Sequence, residues 1–445
     1  MRHCVRIKAG WRDPMTVLGG WPDTPYTLGL ISGGDGRWSW LARLPDRTET
    51  LESGDGRDPF EVLAALLGES GQGGEGPFSG GVAGLASYSL ASRIEPLDLG
   101  ASPDWPDLVL MRFPAVLAFD HGARAVWAIG RGESAPLARE AAERAASWLG
   151  DDQAIAFEGV LAPAVTADDP LAFEAAVEDV RARIADGEIF QANIARRWTG
   201  RLNPGAGPFD LFARLVAQSP APYAAWLRLP GRAIVSNSPE QFVAVTLDGA
   251  GRRVSTRPIK GTAPRGATLA LDEVEKQKLA ASAKDRAENL MIVDLMRNDL
   301  ARVCAPGSVE TPQLFRLETF ANVHHLVSTV TGRLRADASA ADLLRATFPP
   351  GSITGAPKVQ AMKVISELEP PRGPFFGAIF WAGFDGAFDS SVLIRTTAFV
   401  EDPQGWRFEA RAGGGITADS VPHAERLETE DKISAILSAL TEPLA

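Results

Sequence analysis

A mixed fold of the α/β or α+β class is predicted by three features of the 445-residue sequence. Short apolar runs broken by Gly and Pro read as strands, longer segments with apolar residues at helical spacing read as helices, and the two kinds are interspersed from end to end. Hydrophobic residues make up 45% and charged residues 23%, so a large core can form and a disordered or fibrous chain is excluded. No internal repeat or low-complexity tract stands out.

Within residues 1–150 the runs at 80–86 and 108–113 are expected strands. Helices are expected at 59–67, capped by Asp58, and at 135–149. The stretch 151–169, with Pro163 and several small residues, is the expected boundary between an amino-terminal region, 1–150, and a region at 168–440. A helix should follow, capped by Asp169, with Pro170 in its first turn and Phe173, Val177, Val180 and Ile184 on one face; Gly187 ends it. Beyond it strands are expected at 223–229, 233–247, 317–334 and 375–400. The later helices should lie at 271–300 with a break, 341–347, 357–368 and 422–440.

A net charge of −11 argues against non-specific nucleic-acid binding, which needs a basic face to displace counterions. An anionic substrate would have to meet locally concentrated Arg and Lys. Cys4 and Cys304 are far apart and lack metal-ligand spacing, which fits a reducing compartment without disulfides or zinc. No stretch of 18 apolar residues and no signal-peptide pattern occurs, so the expectation is a cytoplasmic protein that binds neither membrane nor nucleic acid.

The most unusual placement is Lys260, in Arg257-Pro258-Ile259-Lys260-Gly261-Thr262. A lysine is ordinarily a solvated charge. Here a short apolar turn bounded by Pro258 and Gly261 would partly desolvate the amine, lowering its pKa and making it nucleophilic. Elsewhere, Asp285 and Glu288 share a helix face, as do Glu425, Glu428 and Lys432. Each set alone reads as a salt-bridged surface.

The hexapeptide resembles the Pro-Ile-Lys-Gly-Thr signature of the aminodeoxychorismate synthase component I branch of the chorismate-utilising enzymes, relatives of anthranilate and isochorismate synthases. Further motifs follow in the family's order over roughly residues 168–440, and the first 150 residues resemble it only loosely. Gly187-Glu188-Ile189-Phe190-Gln191-Ala192-Asn193 is similar to the family's entry to its catalytic region, and Ser236-Asn237-Ser238-Pro239-Glu240-Gln241-Phe242 to its Ser-x-Ser-Pro-Glu-Arg-Phe element. The segment 285–299 resembles the magnesium-binding helix. Val323-His324-His325-Leu326-Val327-Ser328, preceded by Asn322, resembles the strand that carries the active-site imidazole. Gly351-Ser352-Ile353-Thr354-Gly355-Ala356-Pro357-Lys358, Ile394-Arg395-Thr396, Gly414-Gly415-Ile416 and Glu425-x-x-Glu428-Thr429-x-x-Lys432 complete the set.

This resemblance implies an α+β, anthranilate synthase component I-like fold, with two β-sheets face to face, helices outside and the active site in the cleft between the sheets. It implies conversion of chorismate and ammonia to 4-amino-4-deoxychorismate, with magnesium as cofactor and a separate glutamine amidotransferase subunit as ammonia source. Lys260 would be the nucleophile, Glu240 the general acid and His325 the active-site imidazole. Ser352, Thr354, Arg395, Gly414, Gly415 and Lys432 would bind substrate, and Glu288, Glu428, Glu425 and Asp285 would serve the metal. Anthranilate synthase is the alternative, and its members have alanine where Lys260 stands. Four positions depart from the family: Gln241 replaces an arginine, Asp285 a glutamate, and Phe380 and Trp381 stand for glycine and tyrosine.

Overall fold

Near-continuous apolar runs give strands such as Gly81–Ala86, Ala115–Asp120 and Ala378–Gly383 two buried faces, and the chain meets this demand with two antiparallel sheets, one of twelve strands and one of ten. The computed structural model describes residues 3–33, 36–69, 71, 78–150, 157–319 and 323–443. In the larger sheet the order is His3–Ala9, Ala125–Gly132, Ala115–Asp120, Trp38–Ala42, Thr27–Ile31, Tyr223–Leu229, Arg232–Ser238, Thr396–Asp402, Gly405–Ile416, Gln191–Arg201 and Gly355–Ala356. Val165–Ala167 pairs on the side of Gln191–Arg201. The smaller sheet runs Ile259–Pro264, Val323–Arg333, Gly251–Thr256, Gln241–Asp248, Phe388–Val392, Ala378–Gly383, Gly81–Ala86, Leu108–Phe113 and Arg47–Leu51, with Glu310–Thr319 also paired to Val323–Arg333.

Amino-terminal and later strands therefore share both sheets. Thr27–Ile31 pairs with Tyr223–Leu229, and Gly81–Ala86 with Ala378–Gly383. Leu227 and Ile234 of the larger sheet join Val82, Leu85, Phe242 and Phe388 of the smaller in one buried cluster between the sheets. Their strand neighbours Trp226 and Val235 face the other way, under the helices Pro208–Gln218 and Pro422–Thr441 through Leu211, Phe212, Ile433 and Ile436. The helices Pro170–Ala185 and Lys358–Leu368 cover Gln191–Arg201 through Phe173, Val177, Val180, Val364 and Ile365. Helices outside and antiparallel sheets inside make the class α+β.

Helix boundaries follow the local signals. Asp58 accepts the N–H groups of Phe60 and Glu61, and Asp169 that of Leu171, each cap worth about 1 kcal/mol. The break expected within 271–300 falls at Ser282, which ends Leu269–Ala281 and caps Ala283–Ala301 by accepting from Asp285.

Several strand expectations need correction. The run 233–247 is two strands in different sheets, Arg232–Ser238 and Gln241–Asp248, and 375–400 is three, the last of which also changes sheet. Apolar content cannot report such a crossing, because both halves are buried. The run 317–334 divides into parts of Glu310–Thr319 and Val323–Arg333; residues 320–322, including Asn322, lie outside the described residues. So do residues 151–156 of the expected boundary. Lys260 sits in the strand Ile259–Pro264 rather than in a turn. That strand pairs irregularly with Val323–Arg333 between Ile259 and Thr262, where Gly261 takes φ +87°. A glycine tolerates this left-handed backbone, so the sequence signature of a turn is here that of a β-bulge.

Candidate active site

Two sheet crossings lie side by side and build one wall of the site. Pro239 and Glu240 link Arg232–Ser238 in the larger sheet to Gln241–Asp248 in the smaller, while Leu393–Arg395 carry the chain back from Phe388–Val392 to Thr396–Asp402. The crossings are tied by Val392 N–H donating to Glu240 O at 3.2 Å and Asn237 N–H donating to Arg395 O at 3.0 Å. A polar side chain at a crossing lies between the layers without interrupting either ladder. Glu240 is 5% exposed. Burial pushes its carboxyl up to about 7, against the opposing pull of the Ser352 hydroxyl, the Lys260 ammonium and the Ile259 N–H. It can therefore hold a proton near neutrality.

Arg395 adopts φ +50° at the second crossing. Burial pulls its guanidinium below the ordinary value, and among the described residues no carboxylate pairs with it. A half-buried arginine in that state is suited to receive a carboxylate.

Lys260 projects from the bulged strand toward the strand Gly405–Ile416 of the opposite sheet. A Cβ placed on Gly415 would lie 3.0 Å from Lys260 Nζ and 1.9 Å from Gln191 Nε2, so glycine is what admits both groups. Burial holds the Lys260 amine below its ordinary pKa; Glu288 opposes this, and Lys432 adds to it. The half-buried amine and the buried Glu240 carboxyl thus form a base and an acid in one cleft.

A carboxylate corner closes the site at the ends of two helices. Ala283–Ala301 packs on Ile259–Pro264 and Pro422–Thr441 on Gly405–Ile416, and they bring together Glu288, Glu425 and Glu428. A Cβ on Gly414 would lie 3.1 Å from Glu425 Oε2, 3.9 Å from Glu428 Oε1 and 4.0 Å from Lys432 Nζ. Lys432 pairs with Glu428 at 2.6 Å and donates to Gly413 O at 2.8 Å. Burial raises Glu288 and Glu425, each with further repulsion from neighbouring carboxylates. Burial also works to raise Glu428, but Lys432 and Lys260 hold it below its ordinary value. Asp285 abuts the bulge, its Cβ 3.0 Å from where a Gly261 Cβ would be, and its charge is one cause of the Glu288 shift.

The remaining expected residues divide. His325 is 3% exposed, and burial, then Arg395, pushes its imidazole down to about 4, so it is neutral at physiological pH. Its Nδ1 lies 3.0 Å from Thr262 Oγ1. Ser352 contacts Glu240, whereas the Thr354 hydroxyl is spent on the carbonyls of Gly351 and Pro350 at 3.2 and 3.4 Å. Lys358 is likewise consumed by Asp299 and the carbonyls of Thr347 and Pro349.

Gln191 is a site residue for which the sequence suggested no role. It is fully buried, and both polar atoms of its amide lack a protein partner beside Gly415. Its place in the Gly187–Asn193 motif was the available signal. His324 was passed over in favour of His325 and proves structural: its Nε2 meets Asp272 Oδ1 at 2.8 Å and its Nδ1 meets Thr319 Oγ1 at 3.0 Å.

Phe380 and Trp381, two of the departures from the family pattern, line a separate cavity of about 310 Å³ between the sheets, together with Asp389. Trp381 stacks on Phe78 with ring centroids 4.8 Å apart, and Gln241 donates to the half-buried Asp389 at 3.1 Å. Burial raises the Asp389 carboxyl to about 7, against the opposing pull of the Gln241 amide and the Ser390 N–H.

The carboxylate corner suits a hard divalent cation such as magnesium by donor chemistry. Glu288 Oε1 is buried with no hydrogen-bond partner. As the side chains stand, no three His, Cys, Asp or Glu groups among the described residues are close enough to hold a metal ion. Lys284 lies among them, 3.9 Å from both Glu288 and Glu425.

Residues 35–438 match the family described as chorismate binding enzyme. The chain is 44% identical over 370 residues to aminodeoxychorismate synthase component 1 of Klebsiella aerogenes, covering 82% of this chain and 78% of the relative. It is 37% identical over 436 residues to anthranilate synthase component 1 of Streptomyces coelicolor, covering 92% and 82%. Among solved structures, anthranilate synthase component I of Streptococcus pneumoniae superposes with a TM-score of 0.79 at 28% identity, covering 91% of this chain and 93% of that one.

Proposed function

The chain belongs to the chorismate binding enzyme family, and from that premise we propose that it is the chorismate-aminating component that makes 4-amino-4-deoxychorismate. The observation that carries this reading is the placement of Lys260, its amine in a cleft with the raised carboxyl of Glu240 and admitted by Gly415. Relatives named aminodeoxychorismate synthase component 1 support it at 37–44% identity. Anthranilate synthase is the near alternative, and the presence of lysine at position 260 weighs against it.

In the proposed reaction the neutral Lys260 amine attacks the ring carbon next to the carboxylate-bearing carbon. The ring double bonds shift, the bond to the hydroxyl oxygen breaks, and Glu240 delivers the proton that lets it leave as water. Ammonia then adds at the carbon that bore the hydroxyl, the double bonds return, and the bond to Lys260 breaks. The reactive state has its proton on Glu240 and none on Lys260. An ion pair of the same residues holds that proton the other way round, so converting one into the other needs no exchange with solvent. Burial of both groups favours the neutral, reactive arrangement.

Arg395 and the backbone at Gly414 and Gly415 receive carboxylate, with Lys432 and Ser352 beside them. Neutral His325 positions the ring, and Thr354 acts through the fold of its loop. Magnesium held by Glu288, Glu428 and Glu425, with Asp285 acting at one remove, would neutralise the ring carboxylate when bound. Chelation is expected to abolish most turnover, and Glu288→Gln or Glu428→Gln to lower it by about 10²-fold or more without loss of fold. Undiminished rates in chelator, with circular dichroism as the folding control, would sink the metal assignment.

Ammonia would come from a glutamine amidotransferase subunit, in line with the relatives' designation as component 1. Neither Cys4 nor Cys304 lies in a Gly-x-Cys-x-Gly nucleophile turn. Both are free, and no helix among the described residues is long and apolar enough to cross a membrane, which supports a cytoplasmic setting. Incubation of the purified chain with chorismate and ammonium, followed by chromatography and mass analysis, tests the function. The expected product is 4-amino-4-deoxychorismate. Anthranilate as the main product, or glutamine turnover by the isolated chain, would refute this reading.

A further inference from the structure

We propose that Lys284 is an internal counter-ion of the carboxylate corner, standing in for the divalent cation and leaving when the metal enters. The inference rests on the metal reading given above, and its test separates the two.

Lys284 is the second residue of Ala283–Ala301, where the positive end of the helix dipole opposes a cation. Its intrahelical pairing with Glu288 has lysine preceding glutamate by four residues, the weaker order for such a pair. Local helix energetics therefore do not account for a lysine here. The corner does. The half-exposed side chain reaches 3.9 Å from Glu288 Oε1 and 3.9 Å from Glu425 Oε1, bridging one carboxylate from each helix. Both contacts exceed hydrogen-bond length, so the ammonium neutralises charge without being locked in place. Glu288 Oε1 accordingly remains buried without a hydrogen bond.

Charge counting supports the assignment. Glu288, Glu425 and Glu428 converge with Lys260, Lys432 and Lys284, and Asp285 adds a fourth carboxylate beside Glu288, so the corner carries four acidic groups against three lysines. Lys432 is engaged by Glu428 and Gly413 O, and the Lys260 amine lies against Gly415 of the opposite sheet. Lys284, half-exposed and beyond hydrogen-bond length of both carboxylates, is the member with a path to solvent. A dication entering between Glu288 and Glu425 would meet this ammonium at close range, and the repulsion is relieved only if the lysine swings into solvent. Chorismate brings carboxylates of its own, which restore the balance. Metal binding should consequently be weak alone and tighten with substrate, and Lys284 sets the size of that difference.

Mn2+ titration followed by electron paramagnetic resonance reads the affinity without turnover. In the absence of chorismate, Lys284→Met is expected to bind Mn2+ about tenfold more tightly than the parent, while Lys284→Arg keeps the parental affinity. With chorismate present and ammonia withheld, the parent and Lys284→Met should converge. Equal or weaker Mn2+ binding by Lys284→Met, in a parent that does bind, would overturn the counter-ion role and leave the metal reading intact. A parent that fails to bind Mn2+ even with chorismate overturns the metal reading and this inference together. Because Lys284 is half-exposed, its variants should fold, which unchanged thermal unfolding in metal-free buffer to within a few degrees would show.

Discussion

Lys260→Ala is expected to lose 4-amino-4-deoxychorismate synthesis by about 10³-fold or more, because the amine that makes the first bond to the ring is gone. In the parent, chorismate supplied without ammonia should leave an adduct on the peptide containing Lys260, heavier by chorismate less one water and formed without borohydride. The variant should lack it. Removing the side chain also opens space above Gly415, where Lys260 Nζ now lies 3.0 Å from a would-be Cβ. Ammonia can enter that space and add directly to the same ring carbon, so a slow ortho-amino product should replace the 4-amino one. Formation of the 4-amino product by Lys260→Ala at close to the parental rate would reduce Lys260 to an electrostatic contact.

Glu240→Gln should lower kcat by about 10³-fold, the scale of losing a positioned general acid and equivalent to about 4 kcal/mol of barrier. The parental rate should fall on the alkaline side of about 7 as the Glu240 proton is lost, and the residual activity of the variant should lack that limb. Stability should fall over the same range. The folded-state pKa of Glu240 lies above that of an unfolded glutamate, so the folded protein binds this proton more tightly. The contribution is favourable below the unfolded value near 4.5 and is lost as pH rises to about 7. Above that pH the parent carries a buried charge at a cost the glutamine does not incur. Glu240→Gln should therefore be more stable than the parent at pH 8 by about 1–3 kcal/mol, read as a higher unfolding temperature, while being nearly inactive. A variant both inactive and destabilised at pH 8 would assign Glu240 a structural role instead.

The two predictions depend on different kinds of information. Lys260 was conspicuous in the sequence because Pro258 and Gly261 flank it, and Glu288, Glu425, Glu428 and Lys432 were conspicuous because helical spacing puts them on shared faces. These are local signals, and local signals survive without the fold. The same holds for the capped helix Pro170–Ala185, for Tyr223–Leu229 and for the break at Ser282, where cap chemistry or apolar alternation acts within a few residues.

Gln191 was not legible, since its interest lies in having no partner when buried beside Gly415, a contact between two strands of a sheet. Nor was Lys284, which matters because Glu425 from a distant helix approaches it. The sequence by itself indicated the helices with their caps and the apolar runs that become strands, the candidate nucleophile and acid, and the carboxylates of the corner. Only the tertiary structure decided that Ser238 and Gln241 belong to different sheets, so that Glu240 between them is buried and raised to about 7. It also decided that two helices more than 120 residues apart share one corner with a lysine between them. Desolvation and the summed field of neighbouring charges depend on distances across the fold, and no local pattern of residues encodes them.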